Sequence, residues 1–338
     1  MKVLFNVTVE DLETEINRQI LVDENTELTA LCEFVIISMD GKKIPEYNLE
    51  CDGVTYYPYK VEDSKYEKSI FDFTLKDLKL EKEDMMYISY NFDKGYCFDL
   101  EVDDIIKNDS ENKEIDFKVL SGKGYGIIDD EMPYYLKNLL KNKNKNFLDY
   151  IPKKEKEYLQ KKFEVEEIND RIETYKKQSE NRFLPKRYIF NVSLEGFNKE
   201  IKRKVMVNSN ILIDAFCRNV IRSMRGDLFH GYGMKIGKDY LNEFYEELEL
   251  YYLDLKEKQR LKIIYDWGDH WQFNVTLSKI EDGYSDKEFE VLSGKGYGII
   301  DDCGGAWNLN RIFSGEDDSW GKYDINDFDL EKCNEKFR

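Results

Sequence analysis

Hydrophobic and polar residues alternate near the start of the chain and again just after its middle. Residues 3–9 follow a period of two, and residues 188–194 repeat that pattern in the second half. A further apolar stretch follows each of them, at 16–22 and at 201–207. A period of two is typical of a strand with one buried face. The pattern therefore predicts that each half of the chain begins with two strands.

After the second strand, apolar residues recur every three or four positions, which predicts an amphipathic helix in each half. The positions are Leu28, Leu31, Cys32, Val35 and Ile36 in the first half and Ile213, Phe216, Cys217, Val220 and Ile221 in the second. Asn25 or Thr26 is expected to cap the first helix, and Ser209 opens the homologous stretch.

A short turn between two alternating runs then predicts a β-hairpin in each half. The runs and turns are 87–90, 91–96 and 97–102 in the first half, and 261–265, 266–271 and 272–277 in the second. The interval between helix and hairpin is shorter in the second half, where loops can absorb a change of length.

A Gly-rich phrase of twelve residues follows each hairpin and is identical in the two halves. Its sequence is Val-Leu-Ser-Gly-Lys-Gly-Tyr-Gly-Ile-Ile-Asp-Asp, at 119–130 and at 291–302. Identity over this length indicates a tandem duplication. The glycines predict a tight loop with positive φ angles, and they lack the spacing of a phosphate-binding loop. We therefore expect them to form turns.

These elements predict an α+β protein of two tandem related domains. Each domain is expected to consist of strand, strand and helix, followed by a β-hairpin and a Gly-rich loop. The domains are assigned to residues 1–175 and 186–338, which are lengths that suit two separate cores. Each ends in an acidic helical segment, at 163–172 and 328–337, and the polar stretch 174–181 is expected to be a linker.

Composition restricts the possible partners and the compartment. Among 338 residues, 69 are acidic and 51 are basic, which gives a net charge of −18. Such a charge repels phosphates, so direct binding to nucleic acid is not expected. The start of the chain does not resemble a signal peptide, and no apolar run is long enough to span a bilayer. The six cysteines form no Cys-x-x-Cys pair and are expected to be reduced, in a cytoplasmic protein.

The second half carries two motifs that resemble a known family. They are the hairpin Ile264-Tyr265-Asp266-Trp267-Gly268-Asp269-His270-Trp271 and the segment Asp301-Asp302-Cys303-Gly304-Gly305, with Gly294-Lys295-Gly296 between them. They resemble the plasmid pRiA4b ORF-3-like family, whose pattern is Tyr-Asp-Phe-Gly-Asp-x-Trp-x-His followed by Pro-Pro-Glu-Asp-Cys-Gly-Gly. The resemblance implies two tandem copies of an α+β domain that occurs in mobile elements. It implies no particular activity, because the family has no settled function.

The chain also departs from the family pattern. Phe273 stands where the family has histidine, and His270 precedes Trp271 instead of following it. In the first half the hairpin reads Asn91-Phe92-Asp93-Lys94-Gly95-Tyr96, and Glu131-Met132-Pro133 replaces Cys-Gly-Gly. We therefore expect any binding site to lie in the second half, with the first half as scaffold or partner surface.

Polar residues of the second-half motifs are the candidate binding residues. They are Asp266, Asp269, His270, Trp271, Asp301, Asp302 and Cys303. If Asp266, Asp269, Asp301 and Asp302 converge, the four carboxylates could attract a divalent cation such as Mg²⁺. The more conservative interpretation is that these acids accept hydrogen bonds in turns. Likewise, Cys303 could be a nucleophile with His270 as its base, but a buried structural thiol is the simpler interpretation.

The functional hypothesis is a non-catalytic binding protein that needs no cofactor and binds another protein. A degenerate first copy favours this hypothesis, because interaction surfaces tolerate divergence better than catalytic sites do. Two alternatives remain open. One is a metal-dependent enzyme that acts on nucleotides or nucleic acid through the second-half carboxylates. The other is an acidic mimic of DNA that occupies a nucleic-acid-binding protein.

Overall fold

The computed structural model divides the chain into two compact units, Met1–Gln178 and Ser179–Arg338. It describes residues 1–42, 46–59, 61–62, 64–107, 116–142, 150–182, 184–237, 239–241 and 248–337. Over these residues both units combine one sheet with helices, so the protein is an α+β tandem duplication, as the sequence predicts.

The first unit is built on a sheet of eight described strands. They are β1 (Lys2–Val9), β2 (Asn17–Asp23), β3 (Tyr47–Cys51), β4 (Val54–Tyr57), β5 (Glu67–Ser69), β6 (Met85–Tyr90), β7 (Tyr96–Ile106) and β8 (Phe117–Lys123). Their spatial order is β5-β4-β3-β6-β7-β1-β2-β8, and the neighbours are antiparallel except for β4 and β5. The described helices of this part of the chain are α1 (Leu28–Ser38), α2 (Pro133–Lys141), α3 (Lys153–Gln160) and α4 (Val165–Arg182), with 3-10 turns at Ile70–Asp72 and Leu75–Leu78.

The second unit repeats this topology. Its described strands are β9 (Lys186–Leu194), β10 (Lys202–Asn208), β11 (Tyr232–Ile236), β12 (Asp239–Tyr240), β13 (Arg260–Tyr265), β14 (Trp271–Asp282) and β15 (Phe289–Lys295). Their order, β12-β11-β13-β14-β9-β10-β15, matches β4-β3-β6-β7-β1-β2-β8 strand for strand. The helices among its described residues are α5 (Ile213–Ser223), α6 (Gly305–Ser314) and α7 (Leu330–Glu335), with a 3-10 turn at Leu250–Leu253.

The predicted elements occur where the hydrophobic pattern places them. Strands β1 and β2 pair antiparallel with Phe5 opposite Ile20, and β9 and β10 pair with Phe190 opposite Val205. All four side chains are fully buried. The polar stretch 174–181, expected as a linker, lies within the helix α4.

The helix α1 begins later than its predicted cap, and α5 begins later than Ser209, where the homologous stretch opens. Neither Asn25 nor Thr26 caps α1, and the two helices start at Leu28 and Ile213. The first backbone N–H groups are bonded across the fold instead: Leu28 donates to Phe73 O, and Ile213 donates to Leu248 O. A neighbouring segment thus replaces the side-chain cap that sequence rules favour.

One buried arginine in each unit connects the helix to the Gly-rich phrase. In the second unit, the guanidinium of Arg203 donates to the backbone oxygens of Ser223, Lys202, Lys295, Gly296 and Tyr297. In the first unit, Arg18 donates to Ser38, Asn17, Lys123 and Tyr125 in the same way. Because Arg203 is only 2% exposed, the backbone must meet its hydrogen-bonding needs.

The repeated glycines allow the phrase to approach that backbone closely. At Gly296 φ is 81°, and a Cβ atom would lie 2.7 Å from Glu200 O. At Gly298 φ is 123°, and a Cβ atom would lie 2.5 Å from Met224 O. The prediction of turns holds for Gly296 and Gly298, whereas Gly294 lies within β15, where a Cβ atom would lie 2.5 Å from the Phe328 ring. Close packing, which the sequence did not predict, therefore accounts for the glycines of the phrase as much as turn formation does.

Candidate functional site

The β13–β14 hairpin of the second unit holds Asp266 in a fixed turn. Asp266 adopts a left-handed conformation (φ 57°), and its Oδ1 atom accepts a hydrogen bond of 2.8 Å from Gly268 N. Asp266 O accepts a second bond from His270 N, at 2.6 Å. This is the turn chemistry that the conservative interpretation proposed for Asp266. It occupies one carboxylate oxygen and leaves Oδ2 pointing elsewhere.

Asp269 joins the hairpin to the start of α6. Its Oδ2 atom accepts a hydrogen bond of 3.0 Å from Gly304 N. Gly304 and Gly305 have φ angles of 91° and 75°, and a Cβ atom at Gly305 would lie 2.3 Å from Asp269 O. The two glycines therefore let the helix start pack directly on the hairpin.

Asp301 faces a second carboxylate. Its Oδ2 atom accepts a bond of 2.8 Å from Asp227 N, while the Asp227 side chain accepts one from the Tyr265 hydroxyl. Burial, together with the charge of Asp227, raises the pKa of Asp301 to about 6. In the first unit, Lys42 takes the place of Asp227, and the hydroxyl of Tyr90 donates directly to Asp129 at 2.6 Å.

Replacing Asp301 by asparagine is expected to stabilise the second domain at pH 8 and to have little effect at pH 4. The folded pKa of Asp301, about 6, exceeds the ordinary value of 3.8. At pH values well below 3.8 the carboxyl group is protonated in both states. Between pH 4 and 6 the unfolded chain loses the proton first, so the free energy of unfolding falls as pH rises.

Urea unfolding at several pH values tests this expectation. The four tryptophans, Trp267, Trp271, Trp307 and Trp320, all lie in the second half, so their fluorescence reports that domain. A difference between Asp301→Asn and wild type that is the same at pH 4 and pH 8 would contradict the assignment.

Three side chains from separate segments meet beside the hairpin. His230 Nε2 lies 3.1 Å from Asp302 Oδ1 and 3.8 Å from Asp266 Oδ2. All three atoms lie within 4.8 Å of one another. Imidazole and carboxylate are both common metal ligands, so these are the described residues that could hold a metal ion.

The structure thus brings together only part of the predicted four-carboxylate set. Asp266 and Asp302 lie in the cluster, whereas Asp269 and Asp301 accept backbone hydrogen bonds from Gly304 and Asp227. His230 was not among the predicted site residues, and the only signal for it in the sequence was that the chain has just two histidines. His230 lies just before β11, which pairs with β13, and Gly231 O accepts a hydrogen bond from Asp266 N.

The remaining predicted residues lie in different surroundings. His270 is exposed, whereas Trp271 is buried where β14 pairs with β13. Cys303 is buried, and this burial raises the pKa of its thiol to about 12. A thiol that is protonated at neutral pH is a poor nucleophile, which favours the structural interpretation of Cys303. None of the six cysteines forms a disulfide bond, and all but Cys97 are buried.

We call residues 227–231, 265–271 and 301–307 the second-domain tip. Hydrogen bonds join its three segments, from Asp266 N to Gly231 O, from Asp227 N to Asp301 Oδ2 and from Gly304 N to Asp269 Oδ2. The tip exposes three large aromatic side chains: Phe229 at 87%, Trp267 at 55% and Trp307 at 70%. Aromatic side chains are enriched at recognition surfaces relative to the rest of a protein surface.

The equivalent polar residues in the corresponding tip of the first unit have different partners. Asn91, at the position of Asp266, donates a hydrogen bond of 2.8 Å to Asp129 O. Asp130, at the position of Asp302, pairs with Lys154. The two tips therefore differ in chemistry although their backbones share one topology.

The fold and the second-domain tip define the class of protein. It is a tandem duplication of an α+β domain, and the side chains at the tip differ between the two copies. None of the described helices is long and apolar enough to cross a membrane. The chain belongs to the plasmid pRiA4b ORF-3-like family, whose sequence model matches residues 2–170 and again residues 186–332. It therefore contains two tandem copies of the family domain.

Other comparisons add a structural relative of unknown function. MM3350 from Methanosarcina mazei Go1, a solved protein of unknown function, is 20% identical to this chain with a TM-score of 0.39. The match covers 44% of this chain and 97% of that protein. No protein with curated annotation matches the chain.

Proposed function

We propose that the protein acts by binding a protein partner through the second-domain tip, with the first domain as scaffold. The observation that carries this proposal is the contrast between the two tips. Asp130 forms an ion pair with Lys154, whereas Asp302 in the same phrase lies 3.1 Å from His230, which in turn lies 3.8 Å from the buried Asp266; the Asp130 and Asp302 side chains are similarly exposed, at 67% and 70%. The first domain folds without the histidine and carboxylate cluster of the second domain. The cluster is therefore not needed for folding, which favours a role in binding.

The chemistry of the tip indicates the kind of partner. Exposed tryptophans provide large apolar areas that contribute strongly to protein interfaces. Asp269 and Asp302 add negative charge at the same surface, in a chain of net charge −18. A protein segment that carries lysine or arginine beside apolar side chains would complement this surface. Such a partner would associate faster at low salt, because opposite charges steer the encounter.

Removing the exposed indoles is expected to abolish partner binding. With Trp267→Ala and Trp307→Ala combined, the loss of two interface anchors should weaken binding by about 30-fold or more, since one such anchor contributes about 2 kcal/mol. The measurement is affinity capture from the native cell, followed by quantification of each captured protein.

The first domain provides the matched control for this capture. Phe92, at the position of Trp267, is 41% exposed, and Tyr134 is also exposed. The double variant Phe92→Ala and Tyr134→Ala should retain every partner of the wild-type chain. Unchanged capture by the tryptophan variant would place the binding surface elsewhere and overturn the proposal.

A further inference from the structure

Three potential ligand atoms in the second-domain tip are spaced as a metal site requires. Divalent metals hold nitrogen and oxygen ligands at about 2.0 to 2.2 Å, so two ligands of one ion lie roughly 3 to 4.3 Å apart. His230 Nε2 lies 3.1 Å from Asp302 Oδ1 and 3.8 Å from Asp266 Oδ2. Small side-chain movements would place all three atoms around one ion.

The buried carboxylate of Asp266 is a second, independent observation. Asp266 is only 6% exposed, and its Oδ1 atom is held by Gly268 N. This bond fixes Oδ2 toward His230, whose Nε2 atom lies 3.8 Å away. The Asp266 side chain is only 8% exposed, and a carboxylate buried to that extent is costly unless a cation lies beside it. Asp266 Oδ2 is therefore an anionic ligand atom that already faces His230.

The ligand set indicates the kind of ion. An imidazole nitrogen with two carboxylate oxygens suits first-row transition ions such as Zn²⁺ or Mn²⁺, whereas Mg²⁺ and Ca²⁺ prefer oxygen ligands throughout. The side chain of Asp302 is 70% exposed and that of His230 is 34% exposed. Water or a partner side chain could therefore occupy the remaining coordination positions.

We propose that His230 Nε2, Asp266 Oδ2 and Asp302 Oδ1 bind one divalent transition-metal ion, with Asp269 and Asp301 outside the coordination sphere. The ion would connect the segment before β11, the β13–β14 turn and the end of the Gly-rich phrase. This inference goes beyond the proposed partner binding and stands without it. It also differs from the four-carboxylate Mg²⁺ hypothesis, because it requires an imidazole.

Calorimetric titration of Mn²⁺ and Zn²⁺ into the metal-stripped full-length chain tests the inference. We expect one equivalent of either ion to bind, and Mg²⁺ to bind at least tenfold more weakly. His230→Ala and Asp302→Asn should each raise the dissociation constant of Mn²⁺ at least tenfold, because each removes one of three protein ligands. Asp302 is exposed, so its substitution should leave the domain folded, which circular dichroism can verify.

The duplicated phrase provides the matched control variant. Asp130→Asn is the same substitution in the same twelve-residue sequence, and it should leave Mn²⁺ binding unchanged. The absence of binding of either ion at millimolar concentration would overturn the inference. So would binding that Asp269→Asn or Asp301→Asn abolishes while His230→Ala leaves it intact. Trp267→Ala with Trp307→Ala should keep the metal, so a failure of partner binding can be distinguished from a failure of metal binding.

Discussion

Replacing Arg203 by methionine is expected to unfold the second domain at urea concentrations that leave the wild-type domain folded. The guanidinium donates to the backbone oxygens of five residues, at distances from 2.8 to 3.3 Å. Burial lowers the pKa of Arg203 to about 10, so the group is still charged at neutral pH. Methionine fills similar space but removes the guanidinium donor from all five oxygens, two of whose bonds are fully buried, and a buried oxygen that loses its donor costs about 1 to 3 kcal/mol.

We expect Arg203→Met to lower the free energy of unfolding by about 4 kcal/mol or more, since several oxygens lose their donor together. Tryptophan fluorescence during urea unfolding measures this change for the second domain. Lysine at the same position should also destabilise the domain, because an ammonium group cannot reach acceptors on both sides of the planar guanidinium.

Arg218 on α5 provides the control for charge removal. It forms only a half-exposed ion pair with Asp214, at 3.6 Å. Exposed pairs of this kind contribute about 1 kcal/mol or less, so Arg218→Met should change the unfolding midpoint little. If Arg203→Met and Arg218→Met unfolded at the same urea concentration, the hydrogen bonds from Arg203 to the helix and the Gly-rich phrase would not stabilise the domain.

Replacing Gly296 by alanine is expected to produce the second large loss of stability. Gly296 has a φ of 81°, and an added Cβ atom would lie 2.7 Å from Glu200 O and 2.8 Å from Ile201 Cγ1. The left-handed conformation costs about 1 to 2 kcal/mol for alanine, and crowding against a fixed backbone oxygen adds about 1 to 3 kcal/mol.

Gly283 separates these two costs. Its φ is 80°, but nothing lies within 4 Å of an added Cβ atom. Gly283→Ala should therefore show only the conformational cost. Urea unfolding followed by tryptophan fluorescence should rank wild type, Gly283→Ala and Gly296→Ala in order of falling stability. Equal losses in the two variants would mean that close packing does not explain the glycine.

The hydrophobic pattern was sufficient to predict the repeated strands, helices and hairpins. Phe5, Ile20 and their counterparts are buried because a period of two must place them on one face of a strand. The helix starts could not be predicted in the same way. The N–H groups of Leu28 and Ile213 donate to segments that are distant in the sequence, whereas capping rules consider only neighbouring residues.

The site was harder to predict than the fold, for a related reason. The sequence motifs pointed to Asp266 and Asp302, which the structure brings together. His230 precedes a different strand, and only the pairing of β11 with β13 places it beside them. The partners of Asp269 and Asp301 are backbone N–H groups, which a list of side chains does not reveal.

The central claim is that one copy of an identical phrase belongs to a functional surface and the other does not. The most direct test is the partner-capture experiment with Asp302→Asn and Asp130→Asn, the same change in the same sequence context. We expect Asp302→Asn to lose partners that the wild-type chain retains and Asp130→Asn to keep them all. Equal capture by the two variants would contradict the claim.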